Sequence, residues 1–253
     1  MAQGARKDVR LGALGSGSDY TVFLDYLGIP AINLGFSSSN GIYHSRYDSH
    51  WFFTTHGDPG FAFGEKQAEL VAIFLTRMAN ADVLPFTYTS TTETIDRYLD
   101  ELDEELKKRD LNESINLATI HAANAELQAT ATVLDGEIRR ISQMSAAEID
   151  RQSESIKQLN NLLLKAEQGF LHQDGLPGRP WYRHQIYAPG FYTGYGVKTL
   201  PGVREAIEKK DVGEAERMTI VLVEALDQVR QTLLDAVVVA AAITKSRSRH
   251  TQK

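Results

Sequence analysis

The chain has 253 residues, 42% hydrophobic and 24% charged, enough apolar material for a sizeable core in one or two domains. A formal net charge of -6 disfavours nucleic acid as a partner, because phosphate binding needs a clustered basic surface. There is no cysteine, which excludes disulfides and thiolate zinc sites, and no apolar run reaches the roughly 20 residues of a membrane span.

Residues 1–10 are polar and read as a disordered or truncated start without a secretory signal. Asp19 to Leu27 carries Tyr20, Phe23, Leu24 and Leu27 at helical spacing, with Ser16 or Ser18 as cap, and Gly28 and Pro30 end it. Ala31–Phe36 reads as a buried strand, 37–41 as a polar loop and 43–60 as loop-rich. Phe63–Ala79 predicts an amphipathic helix with Leu70, Val71, Phe74, Leu75 and Met78 on its apolar face. Helix, strand, loop and helix are what the end of an α/β sheet domain looks like.

After Pro85 the composition shifts. Thr87–Thr92 fits a linker followed by a helix cap, and the pattern then turns helical. Ile95, Leu99, Leu102 and Leu106 form one face, Ile115–Leu134 a second helix, and Glu137–Gln168 a third, long one with apolar residues at alternating steps of three and four. Gly169–Gly196 breaks the pattern with glycines, prolines and aromatics, which suggests a functional loop or an interface. Leu200–Glu208 and Val212–Thr244 are helices, and the basic end (Lys245, Arg247, Arg249, Lys253) is a solvated tail.

Few residues suggest chemistry. His44 is followed four positions later by Asp48. Imidazole is a common zinc ligand and a carboxylate often orients its second nitrogen, so the pair looks like one corner of a metal site. An ordinary hydrogen-bonded surface histidine and a loop-capping aspartate fit the same residues. His50 and His56 follow His44 at intervals that match no compact zinc motif, and His56-Gly57-Asp58 runs into a Pro59-Gly60 turn. Gly15-Ser16-Gly17-Ser18 lacks the lysine of a phosphate loop and reads as a tight turn that brings backbone close to a ligand or a neighbouring strand.

Two longer segments carry a resemblance. Leu14-Gly15-Ser16-Gly17-Ser18-Asp19-Tyr20 with Phe23, Leu27-Gly28-Ile29 and Tyr43-His44-Ser45-Arg46-Tyr47-Asp48 resemble the C-terminal part of the catalytic domain of the glutamate carboxypeptidase II family. Gly175-Leu176-Pro177-Gly178-Arg179-Pro180-Trp181-Tyr182-Arg183-His184 through Pro189 resembles the helical dimerisation domain that this family shares with transferrin receptor. The resemblance implies an α/β fragment, the end of a zinc-exopeptidase sheet domain, over 1–85. It implies an all-α homodimerisation bundle over 86–246 and a disordered tail over 247–253.

The resemblance further implies that His44 occupies the position of a zinc ligand in a two-zinc site, and that Ser18, Tyr43 and Tyr195 face a peptide substrate. It assigns no catalytic residue to this chain. The family's other metal ligands and its glutamate base precede the equivalent of Leu11, so the chain is expected to be inactive alone, the C-terminal portion of a zinc exopeptidase. The alternative is a non-catalytic, transferrin receptor-like dimerisation or binding protein. Glutamate-specific members carry arginines where this chain has Asn33-Leu34-Gly35-Phe36 and a lysine where it has Gly194, which argues against a preference for an acidic terminal residue. The family location, membrane-anchored and facing the outside or a vacuolar lumen, is not readable from these residues.

Overall fold

A computed structural model describes residues 12–36 and 41–248. The polar start at 1–10, most of the 37–41 loop and the tail from 249 on lie outside the described residues, while 247 and 248 continue the last helix. Packing divides the described chain into two units. Residues up to Ala31 pack with those from Phe86 on, and Ile32–Pro85 form a separate unit.

In the unit Ile32–Pro85, Ser49 caps α1 (His50–Phe52) by accepting from the Phe52 N–H at 3.3 Å, and a wide helical turn continues over Phe53–Gly57. Residues 50–57, expected as loop, are therefore helical. The buried carboxylate of Asp58 accepts from the Phe63 and Gly64 N–H groups, at 3.1 and 2.8 Å, and so caps α2 (Ala62–Ala79). The helix is where its periodicity predicts, yet none of its residues is buried. Ala31–Phe36, expected as a buried strand, is non-regular and mostly exposed. A strand needs a neighbour to complete its ladder. Within this unit the side-chain amide of Gln67 donates to the Leu34 carbonyl, at 3.1 Å, in place of a strand partner.

The other unit is a helical bundle with a small sheet. α3 (Tyr88–Lys108) starts inside the stretch expected as a linker, because a cap arrives from far along the chain. The Asp135 carboxylate accepts from the Tyr88 and Thr89 N–H groups and the Thr89 hydroxyl, at 3.0, 3.0 and 2.7 Å. Ile95, Leu99, Leu102 and Leu106 are buried, as their spacing predicts. α4 spans Ala118–Ile141.

The single helix expected over 137–168 is not formed. α4 stops at Ile141, and α5 (Ala146–Arg151) and α6 (Ser153–Lys165) follow, then a tight helical turn over Ala166–Phe170. The reason is local: Ser145 and Glu148 form a capping box, the Ser145 N–H and hydroxyl both donating to Glu148 at 2.8 Å. That box starts a new helix and splits the apolar seam into Ile138 and Ile141 on α4, and Ile156, Leu159 and Leu163 on α6.

The strands β1 (Tyr187–Pro189) and β2 (Val197–Thr199) pair antiparallel, with Ala188 opposite Lys198. α7 (Pro201–Lys209) ends in left-handed Lys210, and Asp211 then caps α8 (Val212–Ser248) through the Glu214 N–H at 3.0 Å. The 37 residues of α8 make a rod about 55 Å long. It packs along α4, α6, α7 and the 166–170 turn, burying Met218, Leu222, Leu226, Val229, Leu233 and Ile243. Each such side chain contributes about 1.5–3 kcal/mol of burial. No helix among the described residues is long and apolar enough to cross a membrane.

Candidate functional site

Tyr43 and His44 occupy the two central positions of a turn closed by the Ser45 N–H to the Ile42 carbonyl, at 2.8 Å. The second central position carries a φ of +60°, and here it is a histidine rather than the usual glycine or asparagine. The two rings stack with centroids 3.9 Å apart. A β-substituted residue in this region costs about 1 kcal/mol or more, so the turn holds the imidazole exposed at the expense of local strain. Tyr43 also lines an open aromatic cavity of about 810 Å³ with Phe36, Ile42, Phe52, Phe53 and Phe63.

No hydrogen bond joins the His44 ring to Asp48, whose N–H bonds the Ser45 carbonyl at 3.2 Å. His56 packs its ring against Trp51 and Phe52, and its neighbour Asp58 is consumed as the cap of α2. Among the described residues no three histidine, aspartate or glutamate side chains come together as a metal cage.

The segments that carry the other two candidates, Ser18 and Tyr195, meet at Gly17. The turn reading of Gly15–Ser18 is correct, and the neighbour is the hairpin of β1 and β2. A Cβ on Gly15 would lie 2.8 Å from the Val197 Cα, and one on Gly17 would lie 2.8 Å from the Tyr195 ring. Gly17 also needs its φ of +90°. Only glycines let the two backbones approach this closely, and the exposed Ser18 thereby shares a surface with Tyr195, itself 62% exposed. The Tyr20 hydroxyl donates to the Ser16 carbonyl at 3.2 Å and the Thr21 hydroxyl to the Ser18 carbonyl at 2.8 Å, which closes the turn.

The loop that carries Tyr195 is built on a buried ion pair. Arg179 donates from one nitrogen to both oxygens of Glu205, at 2.9 and 2.8 Å, and from another to the Pro189 carbonyl. Glu205 also accepts from the Phe191 N–H at 2.8 Å. Two polypeptide positions at the root of the hairpin turn are thus tied to one guanidinium–carboxylate pair. Above the root, Gly190 donates to the Gly196 carbonyl at 2.8 Å, and the Thr193 hydroxyl donates to the same carbonyl at 2.7 Å.

A second buried group orders the approach to β1. His184 is fully buried, and its Nδ1 accepts from the Ile186 and Tyr187 N–H groups at 3.2 and 3.3 Å. These donors leave the proton on Nε2, which donates to Glu167 at 3.0 Å. Tyr187 stacks on the imidazole, and burial drives its hydroxyl pKa well above the ordinary tyrosine range.

Asp25 is a third buried group, the one charged residue in Val22-Phe23-Leu24-Asp25-Tyr26-Leu27. The short helix expected over 19–27 narrows to a wide turn at Val22–Tyr26, and its inward face is Leu24 and Asp25. Phe23 and Leu27, expected to point inward, are 48% and 42% exposed. Sequence reasoning missed Asp25, Arg179, Glu167, His184 and Glu205 as site-building residues. The available signal was a set of charges inside otherwise apolar or Gly/Pro-rich segments.

Comparison with known proteins follows the same lines. Residues 115–234 match the transferrin receptor-like dimerisation domain. A probable glutamate carboxypeptidase of Arthroderma benhamiae is 34% identical over 206 residues, covering 78% of this chain and 27% of its own length. One from Arabidopsis thaliana is 32% identical over 199 residues, 79% of this chain and 27% of its own. The aminopeptidase NAALADL1 of Mus musculus is 26% identical over 240 residues, 88% of this chain and 31% of its own. The chain spans roughly a quarter to a third of the length of these curated relatives. It belongs to the family of the glutamate carboxypeptidases and transferrin receptor-like proteins, with a transferrin receptor-like dimerisation domain over residues 115–234.

Proposed function

We propose that this chain supplies the dimerisation domain and part of the substrate-pocket wall of a zinc-dependent exopeptidase that hydrolyses terminal peptide bonds. In this reading residues 1–85 belong to the catalytic domain and 86–246 to the helical domain. Ser18, Tyr43 and Tyr195 face the peptide, and His44 is a zinc ligand. The observation that carries the reading is the contact of Gly17 with the Tyr195 ring, which joins two distant segments on one exposed surface. An exposed imidazole held at positive φ beside Tyr43 adds support.

Zinc takes three or four protein ligands, and no such cluster exists among the described residues, so these residues do not fit the ion by themselves. His44 is accordingly one ligand of a site completed from outside the described set, and the relatives' greater length has room for the rest. The chain alone should not hydrolyse peptides. The aromatic cavity beside Tyr43, and the lack of cations at Asn33–Phe36 and Gly194, favour a terminal residue that is not acidic.

A chimaera tests this. Residues 12–246 replace the matching segment of the Arabidopsis relative, and zinc-dependent peptide hydrolysis is measured. Activity is expected, with His44→Ala lowering kcat by about a hundredfold or more. Full activity without the imidazole sinks the assignment, as does zinc-dependent turnover by the 253-residue chain on its own. The homodimer is supported by the match of 115–234 and by the exposed Ile220 and Val238 on α8. A monomer by sedimentation at micromolar concentration argues against it.

A further inference from the structure

The Asp25 side chain is completely buried, and neither carboxylate oxygen has a hydrogen-bond partner. Its main-chain carbonyl, by contrast, is used twice. The Asp25 carbonyl accepts from the N–H groups of Arg183 and His184, at 2.9 and 3.2 Å. The surroundings are tight. Tyr26 stacks on Trp181 with centroids 5.3 Å apart, the Arg183 guanidinium lies 4.2 Å over the Tyr26 ring, and a Cβ on Gly28 would fall 2.8 Å from the Gln168 Cα. Residues 12–31 therefore seat on 166–199 through the Asp25 carbonyl at one end and the Gly15–Gly17 turn at the other.

The charged and titratable groups facing this seat make their contacts elsewhere, and the Nε groups of Arg179 and Arg183, buried without a hydrogen-bond partner, do not bond Asp25 either. Arg179 is bound to Glu205 and the Pro189 carbonyl, Arg183 lies on an aromatic face, and His184 donates to Glu167. On the same element as Asp25, the Tyr20 hydroxyl donates to Ser16. None of them gives Asp25 a donor. An ionised carboxylate buried without donors is far costlier than a protonated one.

We infer that Asp25 is a positioning residue: protonated, it lets residues 12–31 seat and holds the Ser18 turn against Tyr195, and ionisation loosens that seat. The inference rests on the proposed function only in treating Ser18 and Tyr195 as pocket wall. The coupling between the carboxyl and the seat stands apart from it.

Burial raises the Asp25 carboxyl from 3.8 to about 7, with the charge of Arg179 pulling the other way. The seated state thus binds the proton more tightly than the released state. The seat is at full strength below about pH 4, weakens as the pH rises, and has lost this contribution above about pH 7. Between pH 5 and pH 8 its equilibrium constant falls about a hundredfold.

The test is amide hydrogen exchange of Arg183 and His184 in the full chain, corrected for intrinsic rates. Their protection should fall about a hundredfold from pH 5 to pH 8 and stay level in Asp25→Asn. A level profile in the unsubstituted chain, or the same fall in the variant, overturns the inference. If Asp25→Asn does not fold, the side-chain carboxyl carbon of Asp25 is titrated by NMR in the unsubstituted chain. A midpoint near 7 supports the inference and one near 4 overturns it. The Gly17 Hα shift, set by the Tyr195 ring, should move with the same midpoint, and a fixed shift overturns the link to the Ser18 turn. Indifference of the chimaera's kinetics to substitution at Ser18 and Tyr195 counts against the functional reading alone.

Discussion

Helices α2 and α3 have similar lengths and both were readable from the chain, but only one of them is a core element. α3 buries Ile95, Leu99, Leu102 and Leu106 in the bundle. α2 buries nothing, and Leu70, Ile73 and Leu75 are each more than half exposed. The difference teaches that an amphipathic pattern states a need for a partner, while burial states that the partner is present. In the helical unit, α4 and α8 meet that need with long apolar rows of their own. In the unit Ile32–Pro85, order comes from caps, aromatic pairs and turns instead. Asp58 caps α2, Phe36 packs on Phe63 with centroids 5.3 Å apart, and Ser49 starts α1.

Mutations can break or sharpen this contrast. The largest effect is expected in the helical unit from Arg179→Met, which leaves the Glu205 carboxylate without its counter-charge and the Pro189 carbonyl without its donor. The cost should be about 3–5 kcal/mol by urea denaturation, with loss of order in the hairpin of β1 and β2. Leu134→Ala leaves a cavity between packed helices and should cost about 3 kcal/mol. Asp135→Ala removes the cap of α3 from a position far along the chain. About 1–2 kcal/mol should be lost, with fraying confined to the first turn of α3 by hydrogen exchange. At the small end, Leu70→Ser on α2 should change stability by less than about 0.5 kcal/mol. A loss as large as that of Leu134→Ala would mean that α2 is covered in solution and would erase the contrast.

The legible parts of the candidate site were the ones defined by contiguous residues. The Gly15–Ser18 turn was readable because closely spaced glycines imply a close backbone approach, and the Tyr195 loop because glycines, prolines and aromatics interrupt a helical pattern. The Tyr43–His44 pair was readable by resemblance, but its left-handed histidine was not, since neither neighbour is a glycine that would mark the turn. The split at Ser142–Ser145 was signalled by Ser145-Ala-Ala-Glu148, yet the apolar steps on both sides outweighed it. Ala31–Phe36 failed differently: its apolar residues describe a strand correctly only if another strand lies alongside.

Taken by itself, the chain determined where most helices lie and which face of each is apolar. Both follow from 3.6-residue periodicity and from capping residues within a few positions of one another. Tertiary structure alone decided that Asp135 starts α3, that Arg179 and Glu205 anchor the Tyr195 loop, and that the Asp25 carboxyl is buried without a hydrogen bond. Those outcomes depend on which distant segments come to share a low-dielectric interior. Desolvation and hydrogen-bond geometry are properties of that shared space, and no local pattern of residues encodes them.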